Sequence, residues 1–170
     1  MANRDNPRGF WPYRHHCGGE IRMNQYVVTT GQKVYPGDLL SIVAAGTVQS
    51  SAVDAGLIVI GVAAEYKDGT VAGKTVLVYD DPYIEFGCQM DDVGTASTAA
   101  DVGQTANHIA TTGDTALFVS LQELDMSDIG TGAQLTIIGL IPEEDNAWGG
   151  NANVVVLINE HKYKAAVAGV

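Results

Sequence analysis

The sequence predicts an all-β domain, a sandwich or barrel of short antiparallel strands with an extended N-terminal arm. Three observations predict it. Between Gly56 and Asp92 lie three short apolar runs, Leu57–Ala64, Thr75–Tyr79 and Tyr83–Met90. Lys67-Asp68-Gly69 with Gly73, and then Asp80-Asp81-Pro82, separate them. Runs this short, rich in Val, Ile, Leu and aromatics and bounded by turn residues, suit strands. The third run also alternates: Ile84, Phe86, Cys88 and Met90 share one face, and Glu85, Gly87, Gln89 and Asp91 the other. The first set is expected to pack on a core and the second to meet water. The three runs together read as a β-meander at the centre of the domain. Finally, 20 of 170 residues are glycine and only 17% are charged, below the usual quarter. That balance favours short strands, many turns and a largely neutral surface, part of it suited to protein contact.

Taken in order, residues 1–22 read as the arm. Pro7 and Pro12 fix φ and restrict the residues before them, so the segment is extended rather than helical. Phe10, Trp11 and Tyr13 lie between Arg8 and Arg14, with Arg4 upstream. Arginine and aromatic side chains are enriched among interface anchors, which makes Arg4, Arg8, Phe10, Trp11, Tyr13 and Arg14 the candidate partner-binding residues. The competing reading is a strap that packs Trp11 on its own domain.

Residues 23–170 read as a single all-β domain, with a subdivision open near residues 92–116. Met23–Thr30 is the first strand candidate. Pro36-Gly37 sits at the centre of a β-turn, and Leu39–Ala44 and Thr47–Ser51 follow as strands. After Asp92 the chain is small, polar and weakly patterned, and reads as a long loop, a hairpin or one helical turn around Ser97–Val102. His108, in this stretch, reads as polar surface. Order returns at Leu117–Leu121, and Ser127 or Asp128 is a cap for a short helical turn. Gln134–Ile141 is a strand ended by Pro142. Asn153–Asn159 carries an unbroken apolar run, which implies burial on both faces. Glu160–Val170 reads as a tail.

The formal charge is −11 and unevenly placed. The first 22 residues hold all four arginines against Asp5 and Glu20, a balance of +2, and the rest sets five lysines against 18 acids, a balance of −13. So acidic a body repels a phosphate backbone, which argues against a nucleic-acid partner despite the arginines. The first residues are polar and no apolar run approaches the roughly 20 residues of a membrane helix, so neither a signal peptide nor a membrane association is expected. The chain is expected to be made soluble in the cytoplasm. Its length allows a core without staples. Cys88 reads as a free buried thiol, and spacing alone does not establish a bridge to Cys17.

Motifs for chemistry are missing. His15-His16-Cys17 lacks the second ligand pair that zinc requires. Asp80-Asp81, Asp91-Asp92 and Glu143-Glu144-Asp145 lack the calcium-loop pattern and read as solvated turns. No serine stands in a nucleophile-elbow context, and Gly69–Thr75 misses the phosphate-loop spacing. The expectation is therefore no catalytic residue, no metal, no cofactor and no enzyme.

Three segments, GLIVIGVAAEY…TVLVYDDPYIEFGCQMDD, VGQTANHIATTGDTALFVSLQELDMSDIGT and LTIIGLIPEEDNAWGGNANVVVLINEHKYK, resemble in that order the head decoration (cement) proteins of tailed bacteriophages. The resemblance covers roughly Val27–Lys164 and is carried by strand–turn order and by Asp145, Asn146 and Gly149 of one turn. It implies a non-enzymatic structural protein of the virion, bound to the major capsid protein on the outer capsid surface, that strengthens contacts between capsomers. A homo-oligomer, dimer or trimer, goes with that role. The alternatives are a β-sandwich module that binds a glycan or receptor, and a small trimeric β hydrolase.

Overall fold

The computed structural model describes residues 3–52 and 58–164. The domain is all-β, and the described residues include no α-helix. One antiparallel sheet is built from β1 (Trp11–His15), β9 (Ile84–Gln89), β14 (Asn153–Ile158), β13 (Leu135–Leu140) and β10 (Thr105–Ala106), side by side in that order. A second takes β2 (Asn24–Val27), β8 (Thr75–Tyr79), β6 (Val59–Ala63), β4 (Leu39–Ile42) and β5 (Val48–Ser50). Two short ribbons complete the fold: β3 (Lys33–Val34) with β7 (Lys67–Asp68), and β11 (His108–Ile109) with β12 (Glu123–Leu124). A parallel bridge between Val28 and Val48 brings the outer strands of the second sheet together at one end, so that sheet curls toward a barrel.

The expected meander is corrected here. β6 and β8 do pair, but β9 leaves them at the Asp80-Asp81-Pro82 turn and joins the first sheet between β1 and β14. Periodicity shows that a run is a strand; it carries no information about which sheet the strand joins. The start of the first run, at Leu57, lies outside the described residues, as do Met1, Ala2 and residues 165–170 of the expected tail.

Two cores follow from this arrangement. The larger lies between the sheets, where Ile84, Phe86, Cys88, Val154, Val156, Leu135 and Ile137 meet Leu39, Val59 and Val62. The smaller fills the curl of the second sheet with Val28, Leu40, Val48, Ile60, Val76 and Val78. β6 therefore serves a core on each face, and all five of its residues are buried. Strict alternation cannot send both Val59 and Val62 to the same side. A register shift against β4 absorbs the extra residue, and Gly61 sits there with φ +151°.

In the polar 93–116 stretch, the helical turn expected near Ser97–Val102 is a 3-10 turn at Ala99–Asp101, capped by Thr98 and Asp101 in a reciprocal box. A second such turn, Met126–Asp128, is capped by Asp125 rather than by Ser127 or Asp128. His108 is not surface. It is fully buried, bonded through Nδ1 to Gln134 at 2.8 Å and through Nε2 to the Ser51 carbonyl at 3.0 Å. Burial holds its pKa below the ordinary value. Cys17 is exposed and Cys88 buried, and both are free.

Buried titrating groups give the stability a pH dependence of two signs. Asp38 is buried, with Oδ2 accepting from the Tyr35 amide at 2.9 Å and Oδ1 without a partner. Burial pushes its carboxyl up to about 6, from an ordinary value of 3.8. The folded state then holds the proton more tightly than the unfolded chain, so this contribution is complete below pH 4 and lost as pH rises through about 6. Its size is on the order of 3 kcal/mol. His161 works the other way. Burial pushes it down to about 4, so its contribution is present above its ordinary 6.5 and lost on acidification. Urea midpoints between pH 4 and pH 7.5 are expected to fall less with rising pH in Asp38→Asn than in the parent, and His161→Asn removes the acid-side loss.

Candidate partner-binding surface

The N-terminal segment is extended, as its prolines require, and it lies along the outer face of β9. Trp11–His15 pairs antiparallel with β9 as the edge strand of the first sheet. Pro12 faces Phe86 and Arg14 faces Glu85, so Tyr13 is the extra residue of a bulge and turns outward. Upstream, the Gln89 amide accepts from the Asn6 backbone at 2.8 Å and donates to the Arg4 carbonyl at 2.9 Å. Asn3 reaches further, donating to the carbonyls of Ala147 and Gly150.

The face of β9 expected to meet water is therefore covered by this strap. Trp11 lies on Gly87, where even a methyl group would come within 2.3 Å of the indole. Glu85 is 1% exposed and bonds Arg14 Nε and, at 2.7 Å, His16 Nδ1. Burial pushes the Glu85 carboxyl up, but the bonds from His16 and Arg14 outweigh it, leaving the carboxyl below its ordinary range.

The six candidate residues divide into three groups. Phe10 is corrected: its ring is 2% exposed, packs in the inter-sheet core, and is no free anchor. Trp11 is half-buried, with one side on Gly87. Arg4, Arg8, Tyr13 and Arg14 remain exposed. The Arg8 guanidinium lies 4.1 Å from the centre of the Trp11 ring, and that of Arg14 5.7 Å from the centre of the Tyr13 ring. Both distances lie within the roughly 6 Å range of a cation–π contact.

Beside them the structure places residues that the sequence reading passed over. An open apolar groove runs between Trp11, Pro12, Pro36, Ala64, Tyr79 and Val119. Val119 closes the Asp114–Val119 turn, at whose tip Leu117 is 71% and Phe118 49% exposed. Leu117–Leu121 is thus not a strand but the closing arm of a turn. Asp114 Oδ1 accepts from the amides of Ala116 at 2.6 Å and Leu117 at 3.0 Å, and those donors hold its carboxyl below the ordinary range. Phe118 has φ +54°, a strained conformation for a bulky side chain. Its ring stands edge-on to Tyr66 at 4.8 Å, and Tyr66 leans on Tyr35 at 5.2 Å. The tip is a propped apolar projection, not a loose loop. The sequence signal for it was faint: Asp114 two and three residues before the amides it caps, then two apolar residues with no alternation around them.

The polar concavities are of a different kind. One lies between Arg4, Arg8 and the Glu143–Asp145 turn, but its amides are engaged within the chain: Asn146 donates to the carbonyls of Ile141 and Asn153, and Gln89 holds the strap. Among the described residues no group of His, Cys, Asp and Glu is arranged to hold a metal ion. No helix of the described residues is long and apolar enough to cross a membrane. Comparison with protein-family models, with curated proteins and with solved structures gives no match.

Proposed function

We propose that this chain is a structural protein of a phage virion, a decoration protein that binds the major capsid protein on the outer capsid surface and stabilises contacts between capsomers without enzymatic activity. The observation that carries the reading is the exposed apolar surface itself: the Arg8–Trp11 pair, the groove beside it, and Leu117 and Phe118 on the propped turn that ends at Val119. An exposed apolar patch rimmed by polar residues marks a protein contact. The rigidity of this one limits the entropy lost on docking. Repetition over a lattice turns a modest contact into a firm one, because bound neighbours raise the effective concentration. The three sequence segments that resemble decoration proteins support the same reading.

The test is the copy number of the chain in purified particles from its source, relative to the major capsid protein. A near-integer ratio over the whole lattice supports the proposal. A few copies per particle points instead to a glycan- or receptor-binding module at a vertex or tail, and absence removes the capsid reading. The double variant Leu117→Asp/Phe118→Asp is expected to fold with an unchanged melting temperature and to lose at least tenfold in particle affinity, in a co-sedimentation assay with undecorated particles. Two exposed apolar anchors lost to carboxylates are worth more than the 1.4 kcal/mol of that factor.

A further inference from the structure

We infer that the edge of β2, unpaired among the described residues, is a self-association surface, on which two copies of this chain pair antiparallel about a two-fold axis. The inference does not rest on the virion reading. The Val28 amide donates to the Lys74 carbonyl at 2.8 Å, and Asn24 and Tyr26 stand opposite Val78 and Val76. In an antiparallel ladder the residues between these, Gln25 and Val27, turn their N–H and C=O groups away from β8. Just beyond, the Thr29 amide donates to Val48, which closes the edge. The open run is β2 itself, Asn24–Val27, with Ile21–Met23 leading into it, and all seven residues but Tyr26 are exposed. It contains no proline, no bulge and no inward charge, the usual devices that protect an edge strand.

The side chains are self-complementary. Val27 lies on the same outer face as Leu77, which stands opposite Gln25, Met23 immediately precedes the strand, and all three are exposed. Antiparallel pairing of the run with its own copy about Asn24 sets Ile21 against Val27 and Met23 against Gln25. Every outward amide then gains a partner, and the two apolar strips become continuous.

Charge selects the occupant. The segments 20–34 and 65–80, which build this end of the molecule, hold four cations (Arg22, Lys33, Lys67, Lys74) against four acids (Glu20, Glu65, Asp68, Asp80), the last accepting from Asn24 and Tyr26 of β2. Three ion pairs neutralise most of them: Arg22–Glu20 at 3.6 Å, Lys33–Asp68 at 3.7 Å and Lys67–Glu65 at 3.5 Å. The acid excess of the −11 chain therefore lies elsewhere. This end is where two copies of so acidic a chain approach with least repulsion, and where an oppositely charged partner would gain least. The edge is short against the roughly 800 Å² per partner of a standard interface, so the dimer is weak, with Kd in the micromolar range.

Sedimentation equilibrium of the full chain tests this. The expected result is a concentration-dependent dimer that tightens as salt is raised from about 20 mM to about 500 mM, because the screening length falls from roughly 20 Å to roughly 4 Å while the contact is apolar and backbone-mediated. Leu77→Asp and Met23→Asp are expected to stay monomeric, at least tenfold weaker, with unchanged melting temperatures. A chain monomeric at all concentrations, a dimer weakened by salt, or one indifferent to both substitutions overturns the inference. Register is read separately in a Cys17→Ser background. Met23→Cys mixed with Gln25→Cys should form an inter-chain disulfide more readily than either alone, and equal or absent cross-linking overturns the pairing.

Discussion

Replacing Phe10 by alanine is expected to lower the unfolding free energy by about 3–5 kcal/mol, the range for a large aromatic removed from a packed core. The ring is enclosed between the sheets among Leu39, Phe86 and their neighbours. The Phe10 amide donates to the Gly37 carbonyl at 2.8 Å, which fixes where the strap enters the body. Urea denaturation measures the change. A loss under about 1 kcal/mol would mean that the segment is detached in solution and free for another partner. The same geometry bears on truncation. Removing residues 1–20 takes away an edge strand, a core aromatic and the groups that hold buried Glu85, so lost particle binding by such a chain would report unfolding as much as a missing contact. Substitutions at Leu117 and Phe118 are the cleaner probe.

Gly61→Ala is expected to abolish cooperative folding, with a loss of about 4 kcal/mol or more. A Cβ at this position would come within 2.1 Å of the Tyr79 carbonyl, and the backbone has φ +151°. Neither β6 nor β8 can retreat, because β6 carries buried side chains on both faces. Gly73→Ala is the control. It also has positive φ, +80°, but nothing lies within 4 Å of the added atom, so only the backbone penalty of about 1 kcal/mol is expected. Thermal melts of the two variants separate the steric term from the conformational one.

Local pattern carried much of the fold. β8, β9, β13 and β14 lie within the runs that sequence marks as strands, and Pro142 follows as a stop. The 3-10 turn near Ala99 fell within the helical turn open at Ser97–Val102, but its Thr98–Asp101 cap came only from the structure. The strap was half legible. Proline showed that it is extended, and the aromatics showed that it docks on something. Whether that surface belongs to the same chain depended on Gly87, a residue whose missing side chain makes room for Trp11. The Leu117–Phe118 tip was only faintly legible, because its rigidity comes largely from Tyr35 and Tyr66, distant in sequence.

What the sequence determined by itself is the longer strands, the turns that end them, the acidic body and the aromatic, arginine-bearing N-terminal segment. Each depends on neighbours within a few residues, where backbone sterics, side-chain period and capping act. Tertiary structure alone decided that β9 deserts the meander for the other sheet, that His108 and Glu85 are buried, and that Phe10 is core while Leu117 and Phe118 are surface. Those outcomes depend on which faces meet. A strand pattern states that a face must be covered; what covers it is settled by packing between segments far apart in the chain.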